Sequence, residues 1–394
     1  MLAPKAIAAE VRDREEELLW LALRLVPGLG TRKAAQLIER LRSVEAIFRS
    51  SPSQLEALGV PASVAQSIAS GCSFEDAVAQ QEKMAATGVV LIPIADPRYP
   101  ATLREIYDPP VVLFARGRLE LLGTLKLAVV GTRRPTPYGV AVTERFAGEL
   151  ARTGLTVVSG MARGIDTAAH RGALAAGGDT MAVFGCGVDI VYPSENRRLM
   201  EELANKGLVL SEFPLGSPAH PQNFPIRNRV ISGLSLGVLV VEGAQYSGSA
   251  ITARMAMDQG REVFAVPGNI TSKMSWGPNL LIKQGAKLVQ ETGDILEELP
   301  ADDRRRLGVA TQAGENGGEP GPDAARQLPL SLGPMAPVAR ALLECLPVET
   351  AMHIDELLAS LENYSSSEII AALFELEMLG MVRQLPGKKF VKVW

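Results

Sequence analysis

Histidine and cysteine are both scarce, three of each in 394 residues. Cys72, Cys186 and Cys345 lie far apart and form no CxxC pair, which argues against a disulfide framework or a thiolate zinc site and fits a reducing compartment. His170, His220 and His353 are scattered without metal-ligand spacing. No apolar run approaches the roughly 18 residues that span a bilayer. The N-terminal stretch MLAPKAIAAEVRDREEELLW lacks the uninterrupted apolar core of a signal peptide. A cytoplasmic location with no membrane partner is therefore expected. Also missing are GxxxxGK[ST] and a GxGxxG after the first strand with an acidic residue closing the second. P-loop hydrolysis and dinucleotide chemistry are disfavoured, and neither cofactor nor metal is expected. A formal net charge of −4 supplies no global positive field, so any nucleic-acid site must be a local basic pocket.

The chain is long enough for two or three domains. Residues 13 to about 75 carry helical periodicity, with Leu18, Leu21, Ala22 and Leu25 on one face and Ala34, Leu37, Ile38 and Leu41 on another. Gly28 and Gly30 permit a tight turn between these helices, and Thr31 is a candidate N-cap. A second helix pair, broken at Gly59-Val60-Pro61, completes a small helical domain of helix-hairpin-helix or SAM type, assigned to residues 1–80.

From residue 81 to 300 short β-branched runs alternate with stretches of helical length. The runs fall at 89–92, 111–114, 127–130, 156–159, 181–184, 208–210, 238–241, 263–266 and 287–289. Most are apolar throughout, as in strands buried on both faces of a parallel sheet. Helices are predicted over 140–152, 167–176, 195–205 and 249–259. The fold class is α/β, an extended Rossmann-like doubly wound parallel sheet. Residues 301–334 are rich in glycine and proline and read as a flexible linker. Residues 335–394 read as three short helices and a hairpin, a winged helix, with Ser366 and Ser367 as cap candidates and Gly380 ending the third helix.

The chemistry-bearing residues cluster where strands end. After the 127–130 run come Gly131, Thr132, Arg133 and Arg134, with a helix beginning near Pro137. Free N–H groups at a helix N-terminus beside two guanidinium groups make an anion site; the competing reading is a loop with two solvated arginines. The next strand runs into Arg163 and Gly164, with Asp166 either capping the following helix or touching a ligand. Phe224, Arg227 and Arg229 then precede a short apolar helix. One aromatic and two arginines suit a single strand of nucleic acid, the ring stacking on a base and the guanidinium groups taking phosphates. Alternatively Phe224 is core and the arginines are ion-pair partners of Glu212 or Glu242. Ser247 and Ser249 sit on another strand-loop-helix edge rich in hydroxyls.

In order, VVGTRRPTPYG, SGMARGIDTAAH, AVFGCGVDIVYPSEN, SEFPLGSPAHPQNFPIRNRVISGLS and VVEGAQYSGSAITARMAMDQGREVFAVPGNI resemble the DprA (Smf) family, with similarity running from about residue 96 to 299. The resemblance implies a non-catalytic protein that binds and protects single-stranded DNA and loads a RecA-family recombinase, as in natural transformation. It also implies a homodimer formed through the α/β domain. Gly131, Thr132 and Arg133 then make the phosphate loop, Arg163 and Gly164 the adjacent loop, and Phe224, Arg227 and Arg229 the stacking and phosphate wall. Family pockets often carry a basic residue just before the aromatic; here His220-Pro221-Gln222-Asn223 has no lysine or arginine. Arg383, Lys388 and Lys389 in the winged helix form a basic hairpin, a possible secondary DNA contact or simply a solvated terminus. The rival class is an enzyme, because the core is also similar to nucleoside monophosphate phosphoribohydrolases. Against it, residues 249–258 hold no glutamate, and Asp258 lies at the far end. A third reading is a protein–protein scaffold built on the terminal domains.

Overall fold

The computed structural model describes residues 4–245, 247–307, 336–347, 350–361, 363–378 and 381–392. Among these, helices α1 (Pro4–Leu25), α2 (Thr31–Leu41), α3 (Val44–Arg49), α4 (Pro52–Ala57), α5 (Ala62–Ser70) and α6 (Phe74–Thr87) come first. The N-cap of α2 is Gly30 rather than Thr31, which falls one residue inside the helix, and no side chain caps it. Better capped is α4, where Ser51 and Gln54 form a reciprocal capping box ahead of Pro52. The helical layer continues past residue 80, since α6 ends at the left-handed Gly88. This layer does not fold around a core of its own. Trp20, Leu37, Ile47 and Ile68 share one cluster with Val112, Phe114, Ala182 and Phe184 of the sheet. Gln80 fixes the junction by bonding both the N–H and the carbonyl of Leu215, each at 3.0 Å.

A nine-stranded sheet has the order β1-β2-β6-β5-β4-β3-β7-β8-β9. Its strands are β1 (Val90–Pro93), β2 (Val112–Gly117), β3 (Lys126–Val130), β4 (Thr156–Ser159), β5 (Thr180–Phe184), β6 (Leu208–Ser211), β7 (Gly237–Val240), β8 (Glu262–Ala265) and β9 (Lys287–Leu288). All nine predicted runs are strands. Seven pair in parallel, but β1–β2 and β2–β6 are antiparallel. A run that is apolar on both faces reports cover by helices on both sides, not strand direction. In β2, Val112 and Phe114 enter one core while Leu113 and Ala115 enter the other. In β3, Leu127 and Val129 face one way and Ala128 and Val130 the other.

The covering helices are α7 (Ala101–Arg104), α8 (Pro137–Arg152), α9 (Ile165–Ala175), α10 (Arg197–Lys206), α11 (Asn223–Leu234), α12 (Gly248–Asp258), α13 (Trp276–Lys283) and α14 (Thr292–Glu298). Instead of entering a linker directly, the chain forms α15 (Ala301–Arg306), and residues 308–334 of the expected linker lie outside the described residues. The winged helix comprises α16 (Ala336–Cys345), β10 (Met352–His353), α17 (Ile354–Ser360), α18 (Ser366–Met378), β11 (Val382–Leu385) and β12 (Lys389–Lys392) around its own core. Ser365 and Glu368 cap α18 reciprocally, one residue before the predicted cap at Ser366; Gly380 lies outside the described residues.

His170 of α9 is fully buried against β4 and β5. The Thr180 hydroxyl donates to the Val157 carbonyl at 2.8 Å, so it accepts from His170 Nδ1–H at 2.7 Å, which fixes the tautomer and leaves Nε2 bare. Burial, reinforced by the Arg227 charge, pushes the imidazole pKa down to about 3. Between the ordinary value of 6.5 and about 3 the unfolded chain takes up a proton that the folded chain refuses. Stability contributed by the neutral ring is therefore complete above pH 6.5 and is lost as pH falls through that window, by up to about 1.4 kcal/mol per pH unit. Urea unfolding followed from neutral pH to about 4.5 should show a shallower acid slope in His170→Asn, which keeps a donor for Thr180. Parallel curves for the two proteins would remove His170 from the account.

Candidate nucleic-acid interface

The strand order reverses at β3: α8 leads from it to β4 on one side, while β7 pairs on the other. Such a switch point leaves a crevice outside the carboxyl ends of the strands. Here the crevice is a cleft of ≈ 630 Å³, reached by Gly131, Thr132, Arg133 and Arg134 after β3 and by Ser247 and Gly248 at the start of α12. Phe224 and Arg227 of α11 form its far wall.

Helices α8, α9 and α12, which follow β3, β4 and β7, point their N-termini at this edge, and the first two already have a protein carboxylate there. Thr136 caps α8 by accepting from Gly139 N–H at 3.1 Å. The Glu242 carboxylate, 2% exposed, then accepts from Thr136 N–H at 2.9 Å and from its hydroxyl at 2.6 Å. Gly139 is needed there because a Cβ would collide with that carboxylate. Thr132 N–H donates to the Glu242 carbonyl at 2.7 Å, and Arg134 N–H to Thr132 Oγ1 at 3.2 Å. The predicted anion site at the start of α8 is thus occupied from within, and the cation supply of this loop lies in its exposed side chains. At α9, Asp166 is not the cap but the second residue of the helix, and it accepts from Gly160 and Ala162 N–H at 3.1 and 3.3 Å. Burial pushes its carboxyl upward in pKa while the Arg227 charge pulls it down. At α12, Ser247 at the cap makes no side-chain cap bond, and Ser247, Gly248, Ile251 and Thr252 line the cleft, as Asp166 of α9 also does. Ser249, the second residue of the helix, is buried, its hydroxyl 2.7 Å from that of Ser247.

Phe224 is half-buried and has two neighbours at the cleft. The Arg133 guanidinium lies 5.1 Å from its ring centroid, and Tyr192 stacks on it at 5.4 Å with an interplanar angle of 25°. Tyr192 is not among the predicted site residues, although its position after the β5 glycine loop, at the same sheet edge, was the available signal. Gly185 leaves room for the Phe224 ring, as an added Cβ would sit 3.0 Å from it.

The 223–229 stretch is the start of α11 itself, not a loop before it. Helical geometry rotates residues 227 and 229 to opposite sides. Arg227, 4% exposed, passes beneath Gly160 and donates from Nη1 to the Gly160 and Val183 carbonyls, both at 2.6 Å. It reaches the cleft as a floor beneath the surface, and burial lowers its pKa, opposed by Asp166. Arg229 does not reach the cleft. It bonds the Glu212 carboxylate at 2.5 Å and the Asp108 carbonyl at 2.6 Å. Burial pushes the Glu212 carboxyl upward, countered by Arg229 and Arg24.

The remaining predicted residues fall elsewhere. Arg163 is exposed and paired with Glu195, while Gly164 lets the two loops meet, its φ of +80° bringing Ile165 N–H to the Thr132 carbonyl at 3.2 Å. Arg383 bonds Glu144 of α8 at 2.8 Å, and Lys388 and Lys389 remain exposed at the hairpin. Among the described residues no group of three histidine, cysteine or acidic side chains is placed to hold a metal, and no helix is long and apolar enough to cross a membrane.

Fold and cleft together define a Rossmann-like protein with an arginine–aromatic cleft at its switch point and an appended winged helix. Residues 90–300 match the family described as DNA recombination-mediator protein A, and residues 322–388 match the DprA winged helix domain. DNA processing protein DprA of Bacillus subtilis is 47% identical over 54% of this chain and 72% of that protein. Protein Smf of Escherichia coli is 42% identical over 75% of this chain and 76% of its own. The X-ray structure of DprA from Streptococcus pneumoniae superposes with a TM-score of 0.64 at 38% identity, covering 71% of this chain and 96% of that one. The chain belongs to the DprA/Smf family of DNA recombination-mediator proteins.

The two classes of arginine separate by stability. Arg229→Ala strands the buried Glu212 charge and should cost about 3–5 kcal/mol in urea unfolding. Arg133→Ala, at an exposed position, should stay within about 0.5 kcal/mol of the parent. Equal losses would contradict the division into structural and ligand-facing cations.

Proposed function

We propose that this protein binds single-stranded DNA in the switch-point cleft and passes it to a RecA-family recombinase, without turnover of its own. The observation that carries the reading is Arg133 poised over Phe224 at the rim of that cleft. An aromatic face accepts any base, and the adjacent guanidinium groups of Arg133 and Arg134 meet the phosphates on either side. A phosphate seated by Ser247 and Gly248 also gains the N-terminal dipole of α12. Duplex DNA presents its bases already stacked, so a recessed ring favours single strands. The winged helix supports this assignment by exclusion of its usual mode. Its third helix, α18, carries Glu368, Glu375 and Glu377 and no lysine or arginine, a poor face for a DNA groove.

A non-enzymatic role is supported by the groups that chemistry would need. His170 is buried and neutral, and burial raises the Cys186 thiol to about 11, far from a reactive thiolate. The first turns of α12 hold no glutamate, leaving the phosphoribohydrolase reading without its acidic residue. Recombinase loading and a homodimer through the α/β domain are what family membership adds to this reading, along with action in the cytoplasm.

Fluorescence anisotropy with labelled single strands across a salt series separates the roles. Arg133→Ala should weaken binding by roughly 1–3 kcal/mol and reduce the salt slope by about 0.7, one phosphate's worth. Phe224→Ala should cost roughly 1–3 kcal/mol at an unchanged slope. An Arg133→Ala protein with parental affinity and slope would transfer the strand to the hairpin at Lys388 and Lys389.

A further inference from the structure

Helix α11 has a second side. Arg229, on the face away from the cleft, donates to the Asp108 carbonyl and approaches the Asp108 carboxylate at 3.2 Å. Asp108 lies between buried Ile106 and buried Pro109, so its neighbour Tyr107 is held on a fixed segment. Yet the Tyr107 ring is 70% exposed. The Arg32 guanidinium, from the start of α2, lies 3.9 Å from the centroid of that ring. The two border a cleft of ≈ 490 Å³ whose walls also carry Arg104 and Glu39. This cleft belongs to the same edge of the sheet as the first. β2 runs antiparallel to β6, with Phe114 opposite Ser211, so the segment entering β2 abuts the carboxyl end of β6. Helix α11 connects the two clefts, since its first turn carries Phe224 and its Arg229 holds Asp108 beside Tyr107.

The same pairing therefore occurs twice along one edge: Arg133 over Phe224 at the main cleft, and Arg32 over Tyr107 beside the segment that Arg229 ties to α11. We propose that Arg32 and Tyr107 form a second base-stacking platform for the same single strand, which crosses α11 after leaving the main cleft. This rests on the strand occupying that cleft as proposed above. The chemistry matches: an exposed ring takes a base on its face, Arg32 supplies a cation beside it, and Arg104 lies within reach of the next phosphate. It also assigns work to the N-terminal helices, whose shared core with the sheet holds Arg32 in register with Tyr107.

The test is strand length. The parent protein, Tyr107→Ala, Tyr107→Phe and Phe224→Ala are titrated with oligodeoxythymidylates of about five and about twenty nucleotides. Tyr107→Ala should bind the long strand roughly ten-fold more weakly and the short one as the parent does, while Tyr107→Phe keeps parental affinity for both. Phe224→Ala should weaken both. Parental affinity of Tyr107→Ala for the long strand, with Phe224→Ala still impaired, overturns the second platform and leaves Tyr107 to a protein partner. Parental affinity of Phe224→Ala for both strands overturns the main-cleft reading instead.

Discussion

The Glu242 carboxylate, buried under the first turn of α8, is the contact on which the candidate interface depends. Its backbone carbonyl takes Thr132 N–H and its side chain takes the N–H and hydroxyl of Thr136, so the ends of β3 and β7 are tied across the switch point. The dipole of α8 is neutralised by a protein anion rather than offered to a ligand. With Thr132, Arg134 and Thr136 N–H satisfied internally, the Arg133 and Arg134 side chains are left as the loop's outward-facing groups. Asp166 does the same for the loop after β4. A cleft in an acidic protein is made locally basic by committing two carboxylates to structure and leaving two arginines above them.

Arginine serves two purposes around α11 and the loop after β3, and burial sorts them. Arg227 and Arg229 give their donors to carbonyls and carboxylates in the interior, where an unpaired cation would be costly. Arg229 also reaches Asp108, so it joins α11 to the segment that enters β2, and Arg24 adds the N-terminal helices by donating to the Glu212 carbonyl at 3.1 Å. These buried cations hold the helix whose first turn presents Phe224. The placement of Phe224 at the cleft therefore depends on arginines other than the exposed pair at its rim.

Strand placement was legible in the amino-acid sequence because nine short apolar runs punctuated by glycine leave little choice of element. Strand direction was not, since β2 is as apolar on both faces as any parallel strand. The strand-end motifs at Gly131–Arg134 and Phe224 brought their residues to one cleft. Arg229 illustrates what a linear motif hides: NFPIRNR is contiguous on paper, but folded as helix it sends residues 227 and 229 to opposite sides. Glu242 and Tyr192 act across 106 and 32 residues, respectively, and no local pattern ties Glu242 to Thr136 or Tyr192 to Phe224. Cap positions slipped by one residue at α2 and α18, where adjacent Gly, Ser and Thr offered several equivalent starts.

The central claim is that a single strand of DNA lies against the aromatic pair Phe224 and Tyr192 at the switch point. Zero-length photocrosslinking of a 5-bromodeoxyuridine-substituted single strand, followed by peptide mass spectrometry, measures this contact directly. Adducts are expected on Phe224 or Tyr192 within the cleft. Adducts confined to the winged helix, around Arg383 to Lys389, with none at the switch point, would contradict it.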